Sequence, residues 1–228
     1  MFRRLVTTSA VVLGAALVAT GCSPVKFGAA AVVGDQRITI ATLDTEVTSL
    51  SRTAKLYPGT VQLTQVQKTQ QTLTWLIRFK IYDELARQAG ITVSTSQAQQ
   101  ALNAIYMQAK TNAQAQGISN VTLNLILVAN GIAPNLRDKV GRYQSIEDQF
   151  LLQANGGQEP TSQSAQSATS AKFTKARCLA AKALNIKVNP QFGQLNYDQF
   201  AIVPAPGSVS RSAGPAKATS QAGLSPNC

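Results

Sequence analysis

Cys22, Cys178 and Cys228 are the only thiols in a chain of 228 residues that contains no histidine. That absence limits what they can do, because a cysteine or serine nucleophile needs a base to take its proton, and most zinc sites draw on imidazole or clustered thiolates. Ser–His and Cys–His pairs and His-ligated metals are excluded. The carboxylates offer no substitute. Asp44 with Glu46, Asp83 with Glu84, and Glu147 with Asp148 lie one or two residues apart, and on a helix such neighbours point to different sides. Each reads as a solvated helix charge rather than half of an acid–base pair. No glycine-rich phosphate loop, zinc cysteine spacing or nucleophile elbow occurs. The expectation is a protein that is not an enzyme, uses no cofactor or metal, and works by binding.

Cys22 has a use of a different kind. Arg3 and Arg4 precede an uncharged stretch, Leu5 to Val18, that is too short for a permanent membrane span but has the size of a signal-peptide apolar region. Val18-Ala19-Thr20-Gly21-Cys22 then sets small residues before a cysteine, the pattern of a lipoprotein cleavage site. We expect cleavage between Gly21 and Cys22 and lipidation of Cys22, since two acyl chains give stable anchoring where one is marginal. The plainer alternative is a secreted soluble protein with an incidental Cys22. Localisation follows as a cell membrane, held by lipid on its extracytoplasmic face. In such an oxidising compartment Cys178 and Cys228 are able to pair. A buried Cys178 beside a free Cys228 fits the sequence as well.

Loss of Arg3 and Arg4 with the leader takes the net charge from +11 to +9. A surface this basic favours anionic partners, here phospholipid or wall polymer. No motif that interleaves basic and aromatic residues for nucleic acid appears. Lys172, Lys175, Arg177, Lys182 and Lys187 would form a basic patch or simply a solvated helix face.

The elements that must position these residues are mostly helical. After a leader (1–21) and a tether (22–28), Ala29 to Val33 reads as a strand and Gly34-Asp35-Gln36 as a turn. Thr39 is placed to cap a helix with apolar Leu43, Val47, Leu50 and Ala54. A second helix runs from near Thr64 to Gly90 with Leu73, Leu76, Ile77, Phe79, Ile81 and Leu85, and its wide apolar face makes it the centre of the domain. Ser94 and Gln97 have capping-box spacing for a third helix through Leu102, Ile105, Tyr106 and Ala109. Ser119 or Asn120 starts a fourth, and Pro134 the first position of a fifth, through Phe150. Residues 155–170 lack large apolar side chains and read as a flexible linker. Residues 171–203 regain a helix and the strand Ile186-Lys187-Val188, and 204–228 reads as a disordered tail. The sum is one mostly helical domain, 29–154 completed by 171–203, with no internal repeat.

Three segments in this order resemble the SurA-type chaperones and PrsA-type foldases. Residues 30–39, AAVVGDQRIT, are similar to the family's opening "VV(N/G)(G/D)xxI"; Leu73 to Ser94 resembles "LIxxxLLxxxAxxxGIxVS"; and Lys187 to Gly193, KVNPQFG, resembles the closing "VNPRFG", with Gln191 in place of Arg. The resemblance spans most of 29–195. It implies a SurA N-terminal-like helical domain in which 186–188 pairs near 29–33. It also implies loss of the parvulin isomerase domain, whose place is taken by the linker and whose site histidines this chain lacks.

The resemblance further implies an apolar groove for unfolded or newly exported polypeptides, for which Tyr106, Met107, Leu125 and Leu127 are the candidate lining; plain core is the competing explanation of such a stripe. The leading expectation is therefore a membrane-anchored chaperone-like lipoprotein without isomerase activity. The alternative is an envelope assembly or structural lipoprotein that binds one specific partner or an anionic wall polymer.

Overall fold

Thr39 and Thr64 set the frame. In the computed structural model, which describes residues 28–59 and 62–205, Thr39 accepts from the Thr42 amide and starts α1 (Ile40–Ala54). Thr64 and Gln67 close a reciprocal capping box on α2 (Gln65–Ala89), which Gly90 ends at φ 65°. That left-handed conformation is one a side-chain-bearing residue adopts at a cost. Ser94 and Gln97 repeat the box for α3 (Thr95–Ala115). The buried residues of α1 are Leu43, Val47, Leu50 and Ala54, the four expected.

The remaining elements are α4 (Leu123–Ala129), a 3-10 turn (Pro134–Leu136) running into α5 (Arg137–Ala154), and α6 (Gln163–Ala183). Strand β1 (Ala29–Val33) lies between β2 (Gln36–Thr39) and β3 (Lys187–Val188), antiparallel to both. Pairing on both edges and packing on α1 and α2 leave little room, which accounts for its run of alanines, each fully buried. The expected return of the C-terminal segment onto β1 is present, with Ala31 opposite Val188. The protein is mostly helical with small antiparallel strands.

Two expectations need correction. The fourth helix begins later than Ser119 or Asn120, because Thr122 supplies the capping oxygen, to the Leu125 amide. The flexible linker, placed at 155–170, is helical from Gln163 onward. Ser162 caps it, accepting from the Ala165 amide. Alanine has the highest helix propensity and needs no bulk to pack closely. Ala165, Thr169, Phe173, Ala176 and Ala180 follow at helical spacing, with Thr169, Phe173 and Ala180 buried. The Thr169 hydroxyl is satisfied by the Ala165 carbonyl at 2.6 Å.

A second, two-stranded sheet, β4 (Gln194–Asn196) with β5 (Ala201–Val203), has no counterpart in the sequence-based expectation. It closes the core over α2, adding buried Leu195, Phe200 and Ile202.

Candidate functional site

The four candidate lining residues separate in the structure. Leu127 is 2 % exposed and belongs to the core, because the seven-residue α4 turns Leu127 and Val128 inward beside α1. Its assignment to a groove is corrected. Leu125 is half-buried at the start of α4. Tyr106 is half-buried and donates its hydroxyl proton to the Val121 carbonyl at 3.3 Å, which ties α3 to the connection entering α4. Met107, the next residue on α3, is 57 % exposed.

Two further contacts bring other apolar residues to this connection. The Tyr57 hydroxyl hydrogen-bonds the Thr122 hydroxyl at 2.9 Å, so the turn after α1, with Leu56 70 % exposed, lies against the start of α4. Ile118, half exposed, sits on the same α3–α4 connection. Of the five exposed large apolar residues among the described residues, Ile118 lies on this connection and Leu56 and Met107 each adjoin a tyrosine bonded to it. Scattered exposed apolar residues need no explanation, but grouped ones mark binding surfaces. Leu56, Tyr57 and Ile118 escaped the sequence reading because they lie outside helical periodicity. The usable signal was a Leu-Tyr pair followed by Pro58-Gly59.

The outer half of α3 serves as the arm of this surface. Of its 21 residues only Ala101 and Leu102 are buried. Ala101 and Leu102 lie near its N-terminal end, where α3 packs on α5, so Tyr106 and Met107 stand beyond the buried stretch.

Tyr82, Tyr143, Glu147 and Arg177 form a separate, part-buried cluster. Tyr82 stacks on Tyr143 with centroids 3.9 Å apart and donates to Glu147 Oε2 at 3.1 Å. Arg177 lies over the rings of Phe200 (4.4 Å) and Phe173 (5.5 Å). It is therefore packed against aromatic rings rather than part of the surface patch considered for α6. Burial pushes the Glu147 carboxyl above its ordinary 4.5, with Tyr82 and Arg177 opposing and Asp148 adding to the rise. Burial, first of all, also raises the phenols of Tyr82 and Tyr143.

A raised carboxyl pKa means the folded state holds its proton more tightly than the unfolded chain does. Stability from this group is fully present below pH 4.5 and is lost as pH rises through the folded value,. Glu147→Gln keeps an acceptor for Tyr82 and removes the buried charge. We expect its urea midpoint to exceed that of the parent at neutral pH and to match it at pH 4, with the difference opening between. A constant difference across that range would mean that Glu147 does not carry the effect.

Cys178, half-buried on α6, is disulfide-bonded. Cys228 and Cys22, the other two cysteines, lie outside the described residues, as do the Gly21–Cys22 cleavage site and the proposed tail from 206 on. Among the described residues no helix is long and apolar enough to cross a membrane, and no three His, Cys, Asp or Glu side chains are grouped to hold a metal.

No protein-family model matches the chain, and no curated protein or solved structure matches it.

Proposed function

We propose that this is a membrane-tethered, extracytoplasmic chaperone-like protein that binds unfolded or newly exported polypeptides by apolar burial, without isomerase activity. The observation that supports this reading is the placement of Leu56, Met107 and Ile118 on or beside the α3–α4 connection, where Tyr57 bonds the Thr122 hydroxyl and Tyr106 the Val121 carbonyl. An exposed methionine on a helical arm with leucine and isoleucine on neighbouring turns suits extended chains of varied sequence, because methionine in particular adapts to differently shaped partners. The resemblance of 30–39, 73–94 and 187–193 to SurA- and PrsA-type proteins points the same way. Anchoring through Cys22 would hold the surface where exported chains emerge.

The purified chain in excess should slow aggregation of a chemically unfolded client. Leu56→Asp combined with Met107→Asp should abolish at least half of that protection. Both side chains are exposed, so the melting temperature should change little. Full protection by the double variant would place binding elsewhere, and no protection by the parent would end the chaperone reading. A pull-down that returns one dominant partner in place of many would favour the assembly-factor alternative.

A further inference from the structure

Four cations and one carboxylate line a cleft between β2, α1, α2 and α5. Its volume is about 360 Å³, within the range of small-molecule sites. Arg37 of β2, Lys80 of α2, and Lys139 and Arg142 of α5 border it, with Asp83 the one carboxylate in its wall. Arg142 Nε bonds Asp83 Oδ1 at 2.9 Å, which balances one cation. Glu46, outside the lining, attracts Lys139. Lys80 and Lys139 make no ion pair among the described residues. Beneath this rim the floor is apolar, and Tyr143 forms part of it.

The position of the cleft adds an independent argument. The Ile40 amide donates to the Gly28 carbonyl at 3.0 Å, so the end of β2 that leads into Thr42 of the cleft wall stands beside the residue where the tether enters the fold. Six Cα steps separate Gly28 from Cys22, a reach of about 20 Å when fully extended. A chain anchored at Cys22 therefore keeps Gly28, and with it the β2 side of the cleft, within about 20 Å of the anchored residue.

We propose that the cleft receives the phosphate of an anionic phospholipid in the membrane to which Cys22 is anchored. This rests on the anchoring reading above. The rim cations would meet the phosphate, and the apolar floor would accept the glycerol and the first carbons of the acyl chains. Such a contact would fix the orientation of the domain on the membrane, which a single point of attachment leaves free.

The test uses the mature chain with Cys22→Ala, so that no acyl anchor contributes, and flotation with phosphatidylcholine vesicles with and without phosphatidylglycerol. Binding is expected only with phosphatidylglycerol. Lys80→Gln with Lys139→Gln should weaken partitioning roughly 25-fold, about fivefold per cation near an anionic surface. Lys172→Gln with Lys175→Gln removes the same charge from the exposed side of α6 and should change it less than threefold. Lys80→Arg with Lys139→Arg should restore binding, which guards against a folding defect.

Equal losses from the two glutamine pairs would overturn the proposal in favour of diffuse charge. So would an absence of binding to phosphatidylglycerol vesicles, or displacement by an acidic peptide at concentrations at which glycerol phosphate has no effect. The anchor is tested separately, by the mass of the N-terminal peptide from cells. An unmodified Cys22 would defeat anchoring while the vesicle result still stood or fell by itself.

Discussion

Gly141→Val should destabilise the protein by about 3 kcal/mol, the upper end for an overpacked core, and Gly141→Ala by about 1–2 kcal/mol. Intrinsic helix propensity alone gives the opposite sign, since alanine in place of glycine in a helix interior gains about 1 kcal/mol. The local geometry decides between them. A Cβ at Gly141 of α5 would stand 2.3 Å from the Ala98 carbonyl oxygen and 3.1 Å from Leu102 Cβ on α3. The first obstacle is backbone, so no rotamer change relieves it and α3 must move as a body. Urea unfolding of the two variants reads the sign directly, and a stabilised Gly141→Ala would mean that the α3–α5 crossing is looser than described. The crossing also holds the arm that carries Tyr106 and Met107, so client protection should fall even where the variant stays folded.

Gly141 also shows what the sequence makes legible and what it hides. A helix through Val140 and Ile146 is evident from periodicity, yet nothing local says that its glycine marks a close crossing. Caps were the most readable features, because Thr39 and Ser94 act within three residues of themselves. The first two turns of α6 carry no large apolar residue to mark them, because Ala165 and Thr169 pack by being small. The resemblance put Leu127 on a groove: its spacing identifies a buried-or-binding face, and only the fold of α4 onto α1 decides which. Leu56 and Ile118 follow no period, so their grouping depends on the Tyr57–Thr122 contact between residues 65 apart in the chain. Long-range hydrogen bonds of this kind have no local signature.

The β4–β5 hairpin was hidden for the same reason, and its attachment supports the second large prediction. Thr74 Oγ1 accepts the Ile202 amide proton at 2.8 Å, with both residues buried. Arg78, one helical turn on, donates from Nε to the Phe200 carbonyl at 2.9 Å and from a terminal nitrogen to the Gln199 carbonyl at 3.2 Å. Thr74→Val preserves shape and removes the acceptor, leaving a buried amide unpaired at a cost of about 1–3 kcal/mol. Arg78→Met keeps an apolar stem, gives up the guanidinium that lies 5.1 Å over the Trp75 ring and releases both carbonyls, with a loss of about 2 kcal/mol. Phe200 itself sits at φ 46°, a strained conformation for an aromatic residue, and it holds there only while these bonds hold it,. The double variant should therefore lose less than the sum of the two, because a hairpin undocked by the first change has nothing left for the second to release. Amide exchange at Leu195 and Ile202 should quicken in each single variant ahead of the helices. Additive losses with unchanged exchange at those amides would mean that the hairpin stays docked by its apolar contacts alone. Undocking would also uncover Arg177, whose guanidinium Phe200 covers at 4.4 Å. With solvent admitted beside Glu147, the carboxyl should return toward its ordinary value, and the pH dependence that Glu147→Gln removes should weaken in Thr74→Val as well.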